Sequence, residues 1–211
     1  MVETIIVKSL IGLGFLFFGF NLVYIIIKKV KGKNNNGNDF NNPKDNISKP
    51  RLVSRLGVMI MNIFITLCFL NIFFYDWFRS IIPRILVFPI DLPVKLIGFC
   101  LVILGNVMLF FAYRELGTLW VYPIAGGKKV KRIVITGIYS KVRHPIYLSF
   151  NIFSIGFNLI LLDWFLLFLY IFGGIGLLML AIDEERILIS SSKDEYLEYM
   201  EKTGRFLPKL F

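Results

Sequence analysis

Several residues able to do chemistry lie close together in the stretch TGIYSKVRHPIYLSF, residues 136–150. The stretch contains Tyr139, Arg143, Tyr147 and His144, the only histidine of the chain. Aromatic faces attract cations, a guanidinium pairs with carboxylates, and an imidazole can carry or release a proton near neutral pH. This combination indicates a candidate site for a charged ligand.

A second ionisable group, DEER at residues 183–186, directly follows the last apolar run. On a helix Asp183 can pair with Arg186, whereas Glu184 and Glu185 have only apolar residues three and four positions away. Ionisable groups this close to hydrocarbon normally have a partner. We therefore expect their partners to come from elsewhere, and the candidates are Arg143, Arg205 or a positively charged ligand.

A simpler interpretation needs no site. Glu184 and Glu185 would then form a solvated helix end, while Arg143 and His144 would extend to lipid phosphates. A single histidine is also more commonly a packing or interfacial residue than a catalytic one.

The composition determines the environment of both groups. Hydrophobic residues make up 56% of the 211 residues and the mean hydropathy is +0.71, which is far from the range of soluble domains. Spanning a membrane takes roughly 20 mostly apolar helical residues. The sequence predicts an all-α integral membrane protein with about five transmembrane helices, at residues 4–27, 52–75, 94–113, 146–161 and 164–182.

The last two predicted spans form a hairpin, because only Leu162 and Asp163 separate them. Proline is favoured at the first position of a helix, which places Pro145 there and His144 at the N-cap or next to it. The second helix of the hairpin returns to the level at which the first begins. The sequence therefore predicts that residues 183–186 lie beside residues 143–147.

The distribution of positive charge predicts the orientation. The net charge is +10, with eight Lys and Arg residues in 28–55 and seven in 114–143, but only Arg79 and Arg84 between the second and third spans. By the positive-inside rule, the N-terminus lies outside, while the C-terminus and the site lie in the cytoplasm. The charge is thus attributed to topology and to membrane lipids, and no nucleic-acid partner is expected.

Three connecting segments differ in character. The Asn-rich loop 28–51 is expected to be a solvated linker, and the segment 76–93, broken by three prolines, is expected to form an interfacial helix. The tail after residue 182 is compatible with an amphipathic helix that ends at Gly204. Cys68 and Cys100 are expected to be ordinary core residues, and no metal site is predicted.

The ordered motifs G-x-Y, R-H-P-x-Y, E-E, Y-x-x-Y and R-F-x-P resemble the isoprenylcysteine carboxyl methyltransferase family and its phospholipid-methyltransferase relatives. The similarity covers roughly residues 110–211. It implies an N-terminal transmembrane region, 1–113, and a region at 114–211 that binds S-adenosylmethionine between the last spans and the cytoplasmic tail. The acceptor would be lipid-like and would enter from the bilayer.

The resemblance also assigns residues to the cofactor. It implies contacts from Tyr139, His144, Pro145, Ile146, Tyr147 and Glu184, with a further backbone-contacting segment at Lys131, Arg132, Ile133 and Val134. Arg143, Glu185 and Arg205 are candidates for either cofactor or substrate. A carboxylate or thiolate acceptor needs no general base, but an amine acceptor does, and then His144 is the candidate catalytic residue.

One position departs from the family pattern. Where the eukaryotic isoprenylcysteine enzymes carry a substrate arginine, four residues before the matched glutamate, this chain has Leu180. The acceptor therefore stays open between a prenylcysteine carboxylate, a thiol and a phospholipid amine. Two readings from other classes also stay open: an NADPH-dependent enzyme resembling the sterol reductases, and a non-catalytic membrane protein.

Overall fold

The computed structural model describes residues 2–35, 50–82, 91–117, 133–191 and 193–209, and these residues form six α-helices. A short 3-10 helix, Gly137–Ser140, precedes the fourth of them. The α-helices are α1 (Val2–Asn35), α2 (Leu52–Ile81), α3 (Asp91–Leu116), α4 (Pro145–Leu161), α5 (Trp164–Ser191) and α6 (Lys193–Lys202).

Four of the helices, α1, α2, α3 and α5, are long and apolar enough to cross a membrane. The fourth predicted span corresponds to α4, which is apolar but has only 17 residues, or about 25 Å of helix. The predicted class, an all-α integral membrane protein, is confirmed. Of the five predicted spans, the shortest falls below the length of an ordinary membrane-crossing helix.

The helices bury an aromatic-rich core and expose large apolar side chains around it. Phe64 and Phe157 are fully buried, and Phe15 stacks on Phe157 at a centroid distance of 5.1 Å. Large residues such as Phe73 and Phe168 lie on the outer surface instead. An apolar outer surface suits a helix bundle whose solvent is lipid.

Small residues allow the helices to approach closely. A Cβ added at Gly57 or Gly176 would collide with the backbone of the other glycine, so α2 and α5 touch there. Gly98 and Gly156 form a similar close contact between α3 and α4. Close packing at small residues is typical of membrane helices, because lipid offers little hydrophobic driving force for helix association. The glycine-rich turn of α5 thus packs within the bundle.

Several predicted boundaries are wrong because the helices extend beyond the apolar runs. The predicted loop 28–51 begins too early, since α1 continues to Asn35. Much of the predicted interfacial helix, 76–93, belongs instead to α2, which ends at Ile81, and to α3, which begins at Asp91. Residues 83–90 lie outside the described residues. Helical hydrogen bonds do not stop where the hydrocarbon does, so charged residues can continue a span.

One expectation near the C-terminus also needs correction. The DEER sequence does not begin a separate tail helix, because α5 runs without a break to Ser191, and the amphipathic tail helix is the shorter α6. The predicted stop is confirmed, because α6 ends at Lys202 and Gly204 follows directly after the C-cap residue. Cys68 is buried as expected, but Cys100 is exposed on the outer face of α3.

Candidate functional site

The site begins where the chain enters α4. Pro145 occupies the first helical position and His144 is the N-cap residue, as predicted. The His144 side chain makes no capping hydrogen bond, whereas its carbonyl accepts from the Leu148 amide at 3.1 Å. The imidazole is therefore available to α5.

The hairpin brings α5 to this point, as predicted. Leu162 adopts a left-handed conformation, and the Asp163 carboxylate accepts from the amides of Phe165 and Leu166 at 2.8 and 3.0 Å, which starts α5. After five turns of α5 the three acidic residues of DEER reach the level of His144. Successive helical residues differ by about 100° in direction, so each acid faces a different neighbour.

Glu185 faces the polypeptide before α4 and the C-terminal tail. Its buried carboxylate accepts from Arg143 Nε at 2.9 Å and lies 3.2 Å from His144 Nε2. Arg205 Nη2 donates to it at 2.6 Å. Arg143 and Arg205, two of the three candidate partners, thus both pair with Glu185 and occupy both of its oxygens.

The C-terminal tail is attached to the same place by its backbone. The Arg143 amide donates to the Gly204 carbonyl at 2.9 Å, and the His144 amide donates to the Arg205 carbonyl at 3.1 Å. The Arg143 guanidinium also donates to the Thr203 carbonyl. The hydrogen bond with Glu185 raises the pKa of Arg205, which therefore stays charged.

His144 lies between two carboxylates. Its Nδ1 is 3.6 Å from Glu184 Oε2, while its Nε2 is close to Glu185. Burial lowers the pKa of His144, but the hydrogen bonds and negative charges of Glu184 and Glu185 outweigh burial, so the pKa is raised above its usual value. A protonated ring, with a donor on each nitrogen, fits this arrangement.

Glu184 faces α4. It accepts a hydrogen bond from the Tyr147 hydroxyl at 2.5 Å, and the Tyr147 ring stacks on His144 with an interplanar angle of 7°. The Glu184 side chain is one-third exposed, in contrast with 4% for Glu185. Of the two glutamates, Glu184 is thus the one that keeps access to a ligand.

Tyr139 forms part of the wall beside Glu184. Its ring is buried, and its carbonyl accepts from the Tyr199 hydroxyl of α6 at 2.5 Å. Burial raises the pKa of Tyr139, and the negative charge of Glu184 adds to this effect. Burial likewise raises the pKa of Tyr199 to about 12. Both phenols stay neutral at physiological pH.

The other predicted contact residues are less closely associated with His144 and Glu184. Pro145 is buried, and Ile146 packs against the cluster formed by Ile25, Leu109 and Tyr113. Ile133 and Val134 are half-buried. Lys131 and Arg132 lie outside the described residues.

The predicted pair of Asp183 with Arg186 is present, but the closest partners of Asp183 lie at the start of α2. The Asp183 carboxylate accepts from Arg51 Nε at 2.7 Å, from the Arg51 amide at 2.9 Å and from Ser54 Oγ at 2.6 Å. Arg186 is 3.9 Å away. The only sequence signal was that Arg51 and Ser54 are polar residues at the start of a span.

Comparison with known proteins relates these motifs to a family. The sequence model of the Isoprenylcysteine carboxyl methyltransferase (ICMT) family matches residues 96–190. A protein of Saccharomyces cerevisiae named Protein-S-isoprenylcysteine O-methyltransferase is 34% identical over 131 residues. That similarity covers 60% of this chain and 55% of the yeast protein, so the chain spans about half the length of the relative it matches.

The match extends from α3 to the end of α5 and includes both halves of the site. It contains the R-H-P-x-Y motif at the start of α4 and the two glutamates, Glu184 and Glu185, which α5 brings against it. The resemblance seen in the sequence is confirmed: residues 96–190 carry the sequence pattern of the isoprenylcysteine carboxyl methyltransferase family.

Proposed function

We propose that the protein is a membrane-embedded, S-adenosylmethionine-dependent methyltransferase that methylates a carboxylate on a prenylated or similarly lipid-linked cysteine. The family match and the name of the yeast relative support this reaction class. The observation that carries the choice of acceptor is the position of His144 between Glu184 and Glu185.

This position bears on catalysis because acceptors differ in their need for a base. An amine must lose a proton before or during methyl transfer, whereas a carboxylate reacts as the anion already present at neutral pH. A protonated His144 has no lone pair with which to remove a proton. The geometry therefore favours a carboxylate, or a thiolate, over a phospholipid amine, and it makes His144 an orienting residue.

The residues of the site suit the cofactor. S-adenosylmethionine would supply an electrophilic methyl group on a sulfonium. The exposed edge of Glu184 can accept from an amine or a hydroxyl, and the aromatic faces of Tyr139 and Tyr147 can attract a cation. The first amides of α4, at Ile146 and Tyr147, have no partner within the helix and suit a carboxylate.

The remaining candidates take supporting roles. We assign the backbone of Lys131, Arg132, Ile133 and Val134 to the cofactor as the resemblance implies. Arg143 and Arg205 are committed to Glu185, so we infer that these three residues hold the loop before α4 against the tail. A rigid site matters because methyl transfer needs the acceptor, the methyl group and the leaving sulfur in line.

The proposal also covers how the protein is arranged in the membrane. The region 114–211 would hold the cofactor on the cytoplasmic side, with the N-terminus outside, and 1–113 would complete the bundle. The acceptor would reach the site from the bilayer. Leu180, which stands where the family carries its substrate arginine, is uncharged and buried in the core, so we infer that a cation on another element neutralises the acceptor carboxylate.

Calorimetric titration of the detergent-purified protein with S-adenosylhomocysteine tests the cofactor. We expect saturable binding, weakened at least about tenfold in Glu184→Gln, because charge-assisted hydrogen bonds are lost. Glu198→Gln changes an exposed glutamate on α6 and serves as the matched control. Saturable binding of NADPH alone would indicate a reductase, and binding of neither compound would indicate a non-catalytic protein.

The acceptor is tested with radiolabelled S-adenosylmethionine. We expect methyl transfer to S-farnesylcysteine and none to its methyl ester or to phosphatidylethanolamine. Transfer to the phospholipid alone would overturn the choice of a carboxylate.

A further inference from the structure

The acidic residues of DEER attach the end of α5 to three different elements. Glu184 contacts Tyr147 of α4, and Glu185 contacts Arg143 and Arg205. Asp183 contacts the start of α2, which lies outside the region that matches the family. The third attachment has no place in the function described so far.

The contact between Asp183 and α2 is short and largely shielded. The carboxylate receives three donors at 2.6–2.9 Å, and its side chain is only 6% exposed. Ser54 is fully buried. Two turns earlier in α5, Gly176 touches Gly57, so the backbones of α2 and α5 are in direct contact there. The two contacts together fix the rotation of α5 about its own axis.

That rotation determines where Glu184 points. Asp183 and Glu185 project about 200° apart around α5, with Glu184 between them. Their partners therefore hold the helix end from two nearly opposite sides. Glu184 reaches the Tyr147 hydroxyl at 2.5 Å, and a small rotation of α5 would break this contact.

We propose that Arg51 and Ser54 are positioning residues for Glu184, acting through Asp183. They do not touch the ligand. They hold Asp183, and through α5 they keep the Glu184 carboxylate in position to bind the ligand. The inference rests on the proposed role of Glu184 in cofactor binding. By this proposal the N-terminal region contributes to the free energy of ligand binding, although that region lies outside the segment that matches the family.

A double-mutant cycle on cofactor affinity tests the inference. The dissociation constant of S-adenosylhomocysteine is measured for Arg51→Gln, Asp183→Asn and the double variant, and the thermal midpoint of each is measured separately. We expect about a tenfold weakening in each single variant, as for other residues that orient a ligand-binding group. Because both changes break one contact, the double variant should resemble either single variant.

Arg186→Gln is the matched control, because it removes an exposed arginine near the same carboxylate. We expect its affinity to match that of the unmodified protein. A lower thermal midpoint with unchanged affinity would make the contact merely structural and overturn the proposal. Weakening in Arg51→Gln without weakening in Asp183→Asn would indicate direct ligand contact, and would also overturn it.

Hydrogen exchange in the absence of ligand separates this inference from the proposed function. Arg51→Gln and Asp183→Asn should raise the exchange of amides in 183–187 and 144–148, and Arg186→Gln should not. Failure of the unmodified protein to bind S-adenosylhomocysteine would refute only the cofactor assignment. Unchanged exchange in both segments would refute the positioning role.

Discussion

At the scale of single residues, the site is held together by hydrogen bonds and ion pairs in which several residues share one partner. His144 faces Glu184 and Glu185 at once, and Arg143 and Arg205 share Glu185 with it. Buried charges that share partners depend on one another, because removing one partner of a buried ion pair is strongly destabilising. The cluster should therefore respond to pH as a unit.

We expect the pH dependence of unfolding to reveal the charge on His144. Its folded pKa is raised, so its contribution to stability is complete below about pH 6.5, the usual histidine value, and is lost as pH rises through the folded pKa. The advantage of the unmodified protein over His144→Gln in thermal midpoint should shrink from acidic to alkaline pH. An advantage that grows with pH would mean that His144 is neutral in the folded protein.

At the scale of helices, some neighbouring helices are joined by close contacts of the backbone and small residues rather than by large side chains. The contact of Gly57 with Gly176 joins α2 to α5, while Asn21 Nδ2 donates to the Asn106 carbonyl at 3.1 Å and joins α1 to α3. Such contacts are specific because they tolerate neither added atoms nor a shifted register.

We predict that Gly176→Ala destabilises the bundle. The added methyl group would overlap the Gly57 backbone, at a cost of about 1–3 kcal/mol for overpacking. Gly12→Ala is the control, because a Cβ there meets nothing within 4 Å. Thermal unfolding in detergent should show a lower midpoint for Gly176→Ala alone. Equal midpoints would mean that α2 and α5 do not touch at this glycine pair.

The hairpin could be predicted from sequence because its physics is local. A two-residue connection and a fixed rise per residue determine which ends meet, and Pro145 marks the start of a helix. The attachment of Asp183 to Arg51 spans 132 residues. Eight basic residues in 28–55 were equally eligible partners, and nothing local distinguishes one of them. The extent of α1 was missed because hydropathy reports the hydrocarbon boundary and not the last helical hydrogen bond.

At the scale of the whole molecule, the two ends of the bundle differ in charge character. The site end carries Lys28, whose Nζ donates to the Arg114 carbonyl at 2.6 Å, together with the arginines around DEER. At the other end Lys95 is buried between Glu3 and Asp91, at 2.9 and 3.3 Å. The excess of basic residues at the site end supports its proposed cytoplasmic location.

Labelling of single cysteines tests this orientation. In a background without Cys68 and Cys100, a membrane-impermeant maleimide applied to intact cells should label Ser80→Cys at the far end. It should label Lys141→Cys beside the site only after permeabilisation. Both wild-type side chains are exposed, so accessibility should follow the side of the membrane. The reverse pattern would place the site outside the cell.

The backbone pairing of residues 143–144 with 204–205 has a consequence for biosynthesis. Arg143 and His144 are translated about sixty residues before the tail. The tail carbonyls accept hydrogen bonds from the amides of these two residues, and Arg205 of the tail shares Glu185 with them. Chains emerge from the ribosome N-terminal part first. The four long apolar helices, α1, α2, α3 and α5, can therefore insert while the candidate site is still open, and the site becomes complete only when residue 205 has been released.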